Sequence, residues 1–146
     1  MRRGVRDLLD TVPGRRTVAG MGSTVSPPRV LVVGLDPYRV PGPCDPKPVA
    51  DAIEVGMARL ADRGIEAEAC LVGLDGSDDV EARIARALAA RRWECVVVGG
   101  GLRKPEEQLE LFESIVNLIR RHAPQAAIAF NSTPQDIVDA AARRLE

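Results

Sequence analysis

Short apolar runs alternate with amphipathic segments from residue 30 to the end of the chain. The runs are rich in Val, Leu, Ile and Ala, and they occupy residues 30–33, 67–74, 93–98 and 126–130. Only four residues of the chain are aromatic, so these aliphatic runs must supply the core. Aliphatic runs of this kind are typical of buried parallel strands. The pattern therefore predicts four strands.

Each apolar run is followed by apolar residues at spacings of three or four, which indicates one buried face of a helix. The predicted inner faces are Val49, Ile53, Met57 and Leu60; Val80, Ile84 and Leu88; Leu109, Phe112, Ile115, Val116 and Ile119; and Ile137, Val138, Ala141 and Leu145.

Residues at the ends of these segments are typical of helix boundaries. Gly64 predicts the end of the first helix, and residues 78–81 predict an acidic cap for the second. Pro105 suits the first position of the third helix, whose cationic end is predicted at residues 120–122. Residues 133–136 predict a capped start for the last helix.

Four strand–helix units predict an α/β fold with three layers and a four-stranded parallel sheet, (βα)4, of flavodoxin-like or Rossmann-like type. We predict the strand order 2-1-3-4, although 3-2-1-4 also fits the pattern. Either order leaves the fourth strand at an edge, where it could pair with a second copy, so a homodimer is a hypothesis. Residues 29–146 are predicted to form this one domain, after a flexible basic lead at 1–28 that is rich in Arg, Gly, Ser and Pro.

Charge argues against nucleic acid as a partner. The formal net charge is −1, but residues 1–29 hold six Arg and two Asp, whereas the remainder holds fourteen cations and nineteen anions. An acidic body with few aromatic residues does not suit a phosphate backbone or base stacking. Lacking a long apolar stretch or a CxxC pair, the chain is expected to be cytoplasmic, with no membrane partner.

In a parallel sheet of this order, ligands bind at the carboxyl ends of the strands, near the gap between the first and third. The loops expected at this rim are residues 34–39, 73–76, 99–104 and 131–133. The first connection continues for about ten residues and contains four prolines from Pro37 to Pro46, which is longer than usual and typical of a functional loop.

Asp36 is the candidate catalytic residue, since a carboxylate at the mouth of the first strand could orient a polar group or move a proton. The alternative is a turn hydrogen bond before Pro37. The candidate ligand-binding residues are Tyr38, Arg39, Gly99, Gly100, Gly101, Arg103, Asn131 and Ser132. In this hypothesis Arg39 or Arg103 would bind a carboxylate or phosphate.

The glycine triplet at residues 99–101 does not complete a phosphate-binding motif. Lys104 stands where GxGxxG requires its third glycine, and the chain contains no GxxxxGK[ST]. Glu106 and Glu107 would also offset the positive field of a helix amino terminus. The glycines thus predict either a ligand close to the backbone or close packing against the neighbouring loop.

Nucleophilic and metal chemistry find little support in the sequence. Cys44 is the one thiol predicted in a loop, but the only histidine, His122, is expected on the far side of the molecule. A Cys–His or Ser–His–Asp hydrolase is therefore not expected, nor is a histidine-based metal site. The residues indicate no particular cofactor.

Four segments of the chain resemble an uncharacterised group of small single-domain bacterial α/β proteins with a flavodoxin-like fold. They are Gly34-Leu35-Asp36-Pro37, Val98-Gly99-Gly100-Gly101, residues 111–124 and Phe130-Asn131-Ser132-Thr133-Pro134. The resemblance implies the fold and no activity. Two hypotheses follow: a protein that binds a small polar or anionic ligand at the rim, whether or not it is an enzyme, or a non-catalytic regulatory or protein-interaction module.

Overall fold

A computed structural model describes residues 26–145 of the chain. Its four strands are β1 (Arg29–Leu35), β2 (Glu66–Val72), β3 (Cys95–Val98) and β4 (Ala127–Phe130). They form one parallel sheet in the order β2-β1-β3-β4, with Val33 of β1 opposite Cys70 of β2 and Val98 of β3. This is the predicted order 2-1-3-4, and it places β1 and β3 at the centre.

Five helices connect or follow the strands within the described residues: α1 (Lys47–Asp62), α2 (Val80–Ala90), α3 (Gly100–Arg103), α4 (Leu109–His122) and α5 (Ile137–Leu145). Short 3-10 turns occupy Pro37–Arg39, Glu106–Gln108 and Pro134–Asp136. The predicted boundaries of the first two helices are confirmed, since Gly64 follows α1 with φ +75° and Asp79 accepts a hydrogen bond from Ala82 N at the start of α2.

The two faces of the sheet carry separate apolar clusters, because successive strand residues point to opposite sides. Leu31 and Val33 of β1 belong to the cluster under α2 and α4, while Val30 and Val32 belong to the cluster under α1 and α5. Trp93 is almost fully buried in the first cluster, where its Nε1 donates to Ala87 O at 3.0 Å. The result is a three-layer α/β fold, as the sequence predicted.

The segment between β3 and α4 differs from the prediction of a single helix starting at Pro105. Residues Gly100–Arg103 form a separate helical turn, α3, and Leu102 on this turn is fully buried. Pro105 caps a 3-10 turn, and α4 begins only at Leu109. The prediction that Leu109 faces inward is wrong, because its side chain is 61% exposed. Burial of Leu102 explains why a glycine-rich segment, which has low helix propensity, turns helical here.

The predicted flexible lead lies mostly outside the described residues. Residues 26–28 have no regular structure, and Pro28 O accepts a hydrogen bond from Glu66 N at 2.9 Å. Within residues 26–145, no helix combines the length and apolar character that crossing a bilayer requires.

Candidate functional site

A cleft of about 590 Å³ lies at the carboxyl ends of β1 and β3, at the predicted switch point of the sheet. Its lining combines Gly34 and Leu35 at the end of β1, the connection from β1 to α1, the glycine triplet after β3 and the loop after β4. Val49 and Ile53 of α1 and Ile137 of α5 complete it on one face of the sheet. We call this feature the rim cleft.

The proline-rich connection forms one wall of the rim cleft. All four of its prolines, Pro37, Pro41, Pro43 and Pro46, line the cleft together with Val40. Proline fixes φ near −65°, so such a segment loses little conformational freedom when a ligand binds. The sequence predicted a functional role for this long loop, and the structure places it at the cavity.

Gly99, Gly100 and Gly101 also line the rim cleft, and atoms of neighbouring residues lie close to each of them. A Cβ added to Gly99 would lie 3.3 Å from Val33 O, one added to Gly100 would lie 3.4 Å from Ser132 O, and one on Gly101 would lie 3.1 Å from Leu35 Cδ1. None of the three adopts a positive φ. Their glycine character therefore serves close packing against β1 and the β4–α5 loop, which is one of the two predicted interpretations.

The two cations that follow the triplet bind consecutive carbonyl groups of the β4–α5 loop. Arg103 Nη2 donates to Asn131 O at 2.8 Å, and Lys104 Nζ donates to Ser132 O at 2.6 Å. The Arg103 guanidinium carbon also lies 5.6 Å from the centroid of the Phe130 ring, a distance typical of a cation–π interaction. Lys104 lines the rim cleft, whereas Arg103 does not. Both cations thus stabilise the wall that Asn131 and Ser132 form.

Asn131 is the most deeply buried polar residue of the described chain, with an exposed fraction of 4%. Its Nδ2 donates to Thr133 O at 2.7 Å, and this bond fixes which end of the amide is nitrogen. Its Oδ1 is buried and has no hydrogen-bond partner among the described residues. Such an unpaired acceptor costs on the order of 1–3 kcal/mol. Asn131 lines the rim cleft, so this unsatisfied acceptor lies inside the wall of the site, where it has almost no accessible surface.

Asp136 satisfies the backbone N–H groups at the start of the last helix. Its carboxylate accepts from Ser132 N at 3.0 Å and from Thr133 N at 3.0 Å, and Thr133 and Asp136 form a capping box. The prediction that Thr133 serves in capping is confirmed. These two N–H groups are therefore already used within the protein, although Ser132 and Thr133 both line the rim cleft.

Asp36, Tyr38 and Arg39 are not among the residues that line the rim cleft. Asp36 accepts from Tyr38 N at 3.0 Å and from Arg39 Nε at 3.0 Å, as expected of a residue that caps a turn. The Tyr38 side chain is 64% exposed. Arg39 lies on the β2 side of β1, away from the gap between β1 and β3, because its guanidinium contacts Asp78 and Leu71 O.

Arg39 joins the first two rim loops through a group of ionic hydrogen bonds. Its Nη1 lies 2.8 Å from Asp78 Oδ2, an atom that also accepts from Gly73 N at 2.9 Å and from Arg83 Nη1 at 3.1 Å. Asp36 and then Asp78 raise the pKa of Arg39. The Gly73 N–H, followed by Arg39 and Arg83, lowers the pKa of Asp78 below its ordinary 3.8. This ion pair network is structural, since each charged group has its partner within the protein.

The three cysteines have two different environments. Cys44 is exposed and lines the rim cleft, whereas Cys70 and Cys95 are buried in the two apolar clusters. Burial raises the pKa of the Cys95 thiol to about 11 and also raises that of Cys70. His122 is the last residue of α4, at the opposite end of the sheet from the rim. Cys44 therefore has no histidine base beside it.

Of the residues predicted from sequence to bind a ligand, the structure brings five together at the rim cleft: Gly99, Gly100, Gly101, Asn131 and Ser132. Tyr38, Arg39 and Arg103, and the candidate catalytic residue Asp36, lie outside its lining. Asp36 and Arg39 are bound to each other, Tyr38 is exposed, and Arg103 Nη2 is bound to Asn131 O while its Nε is buried without a partner among the described residues. The candidate ligand-binding residues predicted from sequence did not include Val40, Val49 or Lys104, which line the rim cleft. Val49 was predicted to be buried, yet it is 45% exposed because it faces the cleft.

Comparison with models of known protein families and with curated proteins found no match to this sequence.

Proposed function

We propose that this protein binds a small organic molecule in the rim cleft. The observation that supports this proposal is a cavity of about 590 Å³ at the switch point of an open parallel sheet. Ligand sites typically have volumes of about 300–1,000 Å³ and occur at this position in α/β folds. The sequence led us to expect a polar or anionic ligand. The lining is largely apolar, so we now propose a ligand with an apolar body and a polar end.

Two features favour ligand binding over a role as an interaction module. A module without a ligand would be expected to fill its rim with Tyr38, the loop prolines and Leu102. Tyr38 instead projects into solvent, and Leu102 is buried in the core beneath α4. The prolines form a wall of the cavity and leave its volume open.

The test compares two valines on helix α1 that have the same exposure. Val49 is 45% exposed and lines the rim cleft, while Val55 is 44% exposed and does not. We would screen nucleotides, acyl-CoAs, sugar phosphates, carboxylates and neutral aromatic compounds by thermal shift against the wild type, Val49→Phe and Val55→Phe. A ligand at about 100 times its Kd stabilises the folded state by about 2.7 kcal/mol, which is a shift of several degrees.

We expect at least one compound to stabilise the wild type and Val55→Phe but not Val49→Phe. The same compound should slow the alkylation of Cys44 by iodoacetamide, followed by intact mass, because Cys44 also lines the rim cleft. Two results would contradict the proposal: no stabilising compound across the whole panel, or stabilisation that Val49→Phe retains in full while Cys44 stays equally reactive.

We retain the homodimer as a proposal, with the outer edge of β4 as its interface. β4 pairs with β3 on one side only, and Phe130 at its end is 39% exposed. Light scattering at several protein concentrations tests this, and a constant monomer mass up to millimolar protein would reject it.

A further inference from the structure

The outer edge of β4 carries backbone groups that face away from the sheet. Ala127 N donates to Glu94 O at 3.0 Å, so the N–H and C=O groups of Ala127 point toward β3. Because these groups alternate in direction along a strand, those of Ile128 and Phe130 point away from β3. Arg143 Nη2 binds Phe130 O at 3.2 Å. The N–H and C=O of Ile128 are therefore the pair that a second strand could bind at this edge.

The flank of α4 beside this edge is apolar at its centre. Leu109, Phe112 and Val116 follow one another on it at spacings of three and four residues. The Phe112 ring lies 5.8 Å from the Phe130 ring of β4, which places this flank next to the strand. The other flank of α4 faces α2, with which it shares a small groove. Since Leu109 remains 61% exposed, the flank beside β4 is a candidate contact surface.

The same flank has one acidic and one basic side chain along its outer margin. Glu113 and Arg120 are both exposed, and their separation of seven residues corresponds to about two helical turns. Among residues 26–145 neither of them forms an ion pair, although Glu113 also borders the groove toward α2. The N-terminal half of this flank is therefore negative and the C-terminal half positive.

The strand edge and the charged flank have the same centre. The ring contact sets Phe112 at the level of Phe130, and Ile128 lies two residues, or about 6.6 Å, back along β4. That distance corresponds to about 4.4 residues of a helix, which rises about 1.5 Å per residue. α4 runs antiparallel to β4, as the crossover between parallel strands requires, so the level of Ile128 falls between residues 116 and 117. This is also the midpoint between the two charged residues of the flank.

A two-fold axis through this centre would satisfy the strand edge and the helix flank together. Antiparallel pairing of β4 with its copy lets the two Ile128 residues exchange both backbone hydrogen bonds. The same rotation sets the two α4 helices antiparallel, with Glu113 of each copy opposite Arg120 of the partner subunit.

The spacing of the layers fits this arrangement. Ile115 of α4 shares an apolar cluster with Val98 of β3, and Phe112 contacts Phe130 of β4, so α4 lies over both strands. Neighbouring strands are about 4.8 Å apart, which would put α4 and its copy about 10 Å apart across the axis. This is close to the ordinary distance between packed helices, about 8–10 Å. The two copies would thus meet in the helix layer as well as in the sheet.

We infer that this protein forms a two-fold symmetric dimer in which the β4 strands pair antiparallel about Ile128 and each Glu113 binds Arg120 of the partner subunit. The inference rests on the homodimer proposed above, to which it adds the symmetry and the contacts, and it does not depend on a ligand in the rim cleft. A second copy is the favoured occupant of this surface because the charges and the backbone groups complement themselves under one rotation.

Two charge reversals on the full chain test the helix contact: Glu113→Arg and Arg120→Glu. Each variant alone has like charges at both contacts, so its dimer Kd should rise at least about tenfold at low ionic strength. In an equimolar mixture, one chain carries cations at both positions and the other carries anions at both. The mixed dimer should therefore form with a Kd within about threefold of the wild-type value. Sedimentation equilibrium measures the Kd values, and native mass spectrometry distinguishes the mixed dimer from the two homodimers by mass.

Two matched variants control for the change in net charge. Glu54→Arg on α1 and Arg86→Glu on α2 make the same charge changes at exposed positions, on the helices that precede and follow β2 in the chain. Each should dimerise as the wild type does, and their mixture should show no preference for the mixed dimer. Because all four positions are exposed, the variants are expected to fold.

Hydrogen exchange of the Ile128 amide tests the strand contact. This proton should exchange at least about tenfold more slowly in the wild type and in the mixed dimer than in either charge variant alone at the same protein concentration. Two-dimensional NMR of ¹⁵N-labelled protein follows the signal.

Two results would overturn the inference while a homodimer of another geometry stands: charge variants that dimerise alone as tightly as in their mixture, or an Ile128 amide that exchanges equally fast in the wild-type dimer and in the variants. A constant monomer mass of the wild type up to millimolar protein would reject the homodimer and this inference together. In either case the screen against Val49→Phe and Val55→Phe decides separately whether the rim cleft binds a ligand.

Discussion

Arg39 lies so close to Gly73 that a Cβ added to the glycine would be 2.8 Å from Arg39 Cβ and 3.0 Å from Nη1. Gly73 N donates to Asp78, whose carboxylate also binds Arg39. Gly73 thus permits the first two rim loops to meet, and this contact fixes the start of the proline-rich connection at Arg39.

Gly73→Ala is expected to lower the free energy of unfolding by about 1–3 kcal/mol, because the new methyl group overlaps Arg39. Urea denaturation measures this loss. The closest atom is Arg39 Cβ, so the background that relieves the overlap is Arg39→Gly and not Arg39→Ala. An equal loss in the wild-type and Arg39→Gly backgrounds would show that Arg39 is not the cause.

Asp78 should make stability depend on acid pH. Its pKa is lowered in the folded protein by the Gly73 N–H and then by Arg39 and Arg83, so the folded state holds the proton less tightly than the unfolded chain. The contribution is therefore present above the ordinary pKa of 3.8 and is lost as pH falls through the lower folded value. Asp78→Asn should be less stable than the wild type at pH 7, and the difference should shrink between about pH 5 and pH 2. Parallel curves of unfolding free energy against pH would contradict this.

Gly56 should reverse the usual ranking of glycine and alanine in a helix. It lies inside α1, where an added Cβ would be 2.5 Å from Pro134 O and 3.1 Å from Ile137 Cδ1. Gly56→Ala is thus expected to destabilise by about 1–3 kcal/mol despite the better helix propensity of alanine. Ala58→Gly, at an exposed position of the same helix, is the control and should cost about 1 kcal/mol. Stabilisation by Gly56→Ala would contradict this prediction, because it would mean that α1 and the turn before α5 are farther apart than the structure shows.

Cys44 should react with thiol reagents much faster than Cys70 and Cys95. In the native state at pH 8, iodoacetamide should modify Cys44 rapidly, since it is exposed, and leave Cys70 and Cys95 unmodified. Burial raises the pKa of Cys95 to about 11, which further reduces its thiolate fraction. Denaturation should make Cys70 and Cys95 as reactive as Cys44. Peptide mapping after timed alkylation measures the three rates, and native modification of Cys95 as fast as Cys44 would disprove its burial.

The fold was predictable because its signals are local and repeated. Runs such as Val30–Val33 and the cap at Asp79 point to the same elements that tertiary packing produces. The helical turn α3 was not predictable from three glycines of low helix propensity, since it depends on burial of Leu102 by distant elements. Leu109 follows the helical periodicity and is nevertheless exposed, because the helix that was predicted to start at Pro105 starts only at Leu109, which is its first residue.

The location of the rim cleft was predictable from the sequence, but the directions of the side chains around it were not. Sequence order places Asp36 and Gly99 at the same rim, and both are there. Which side of β1 a side chain occupies depends on the 3-10 turn after Asp36, and this turn directs Arg39 toward Asp78 and away from the cleft. The sequence correctly assigned the prolines to a loop and Val49 to a helix. That they line one cavity could not be predicted, because it depends on how the loop and the helix pack in three dimensions.

Trp93 and Cys95 lie two residues apart but belong to opposite faces of the sheet, one in the cluster under α2 and α4 and the other in the cluster under α1 and α5. Each face thus has a natural reporter: the fluorescence of the single tryptophan for one, and the accessibility of a buried thiol for the other. Coincident unfolding by both probes would indicate that the two layers fold as one cooperative unit. The rim cleft adjoins the Cys95 cluster, since Val32 and Ile137 belong to both. A ligand that raises both unfolding transitions equally would therefore stabilise the whole domain and not one layer alone.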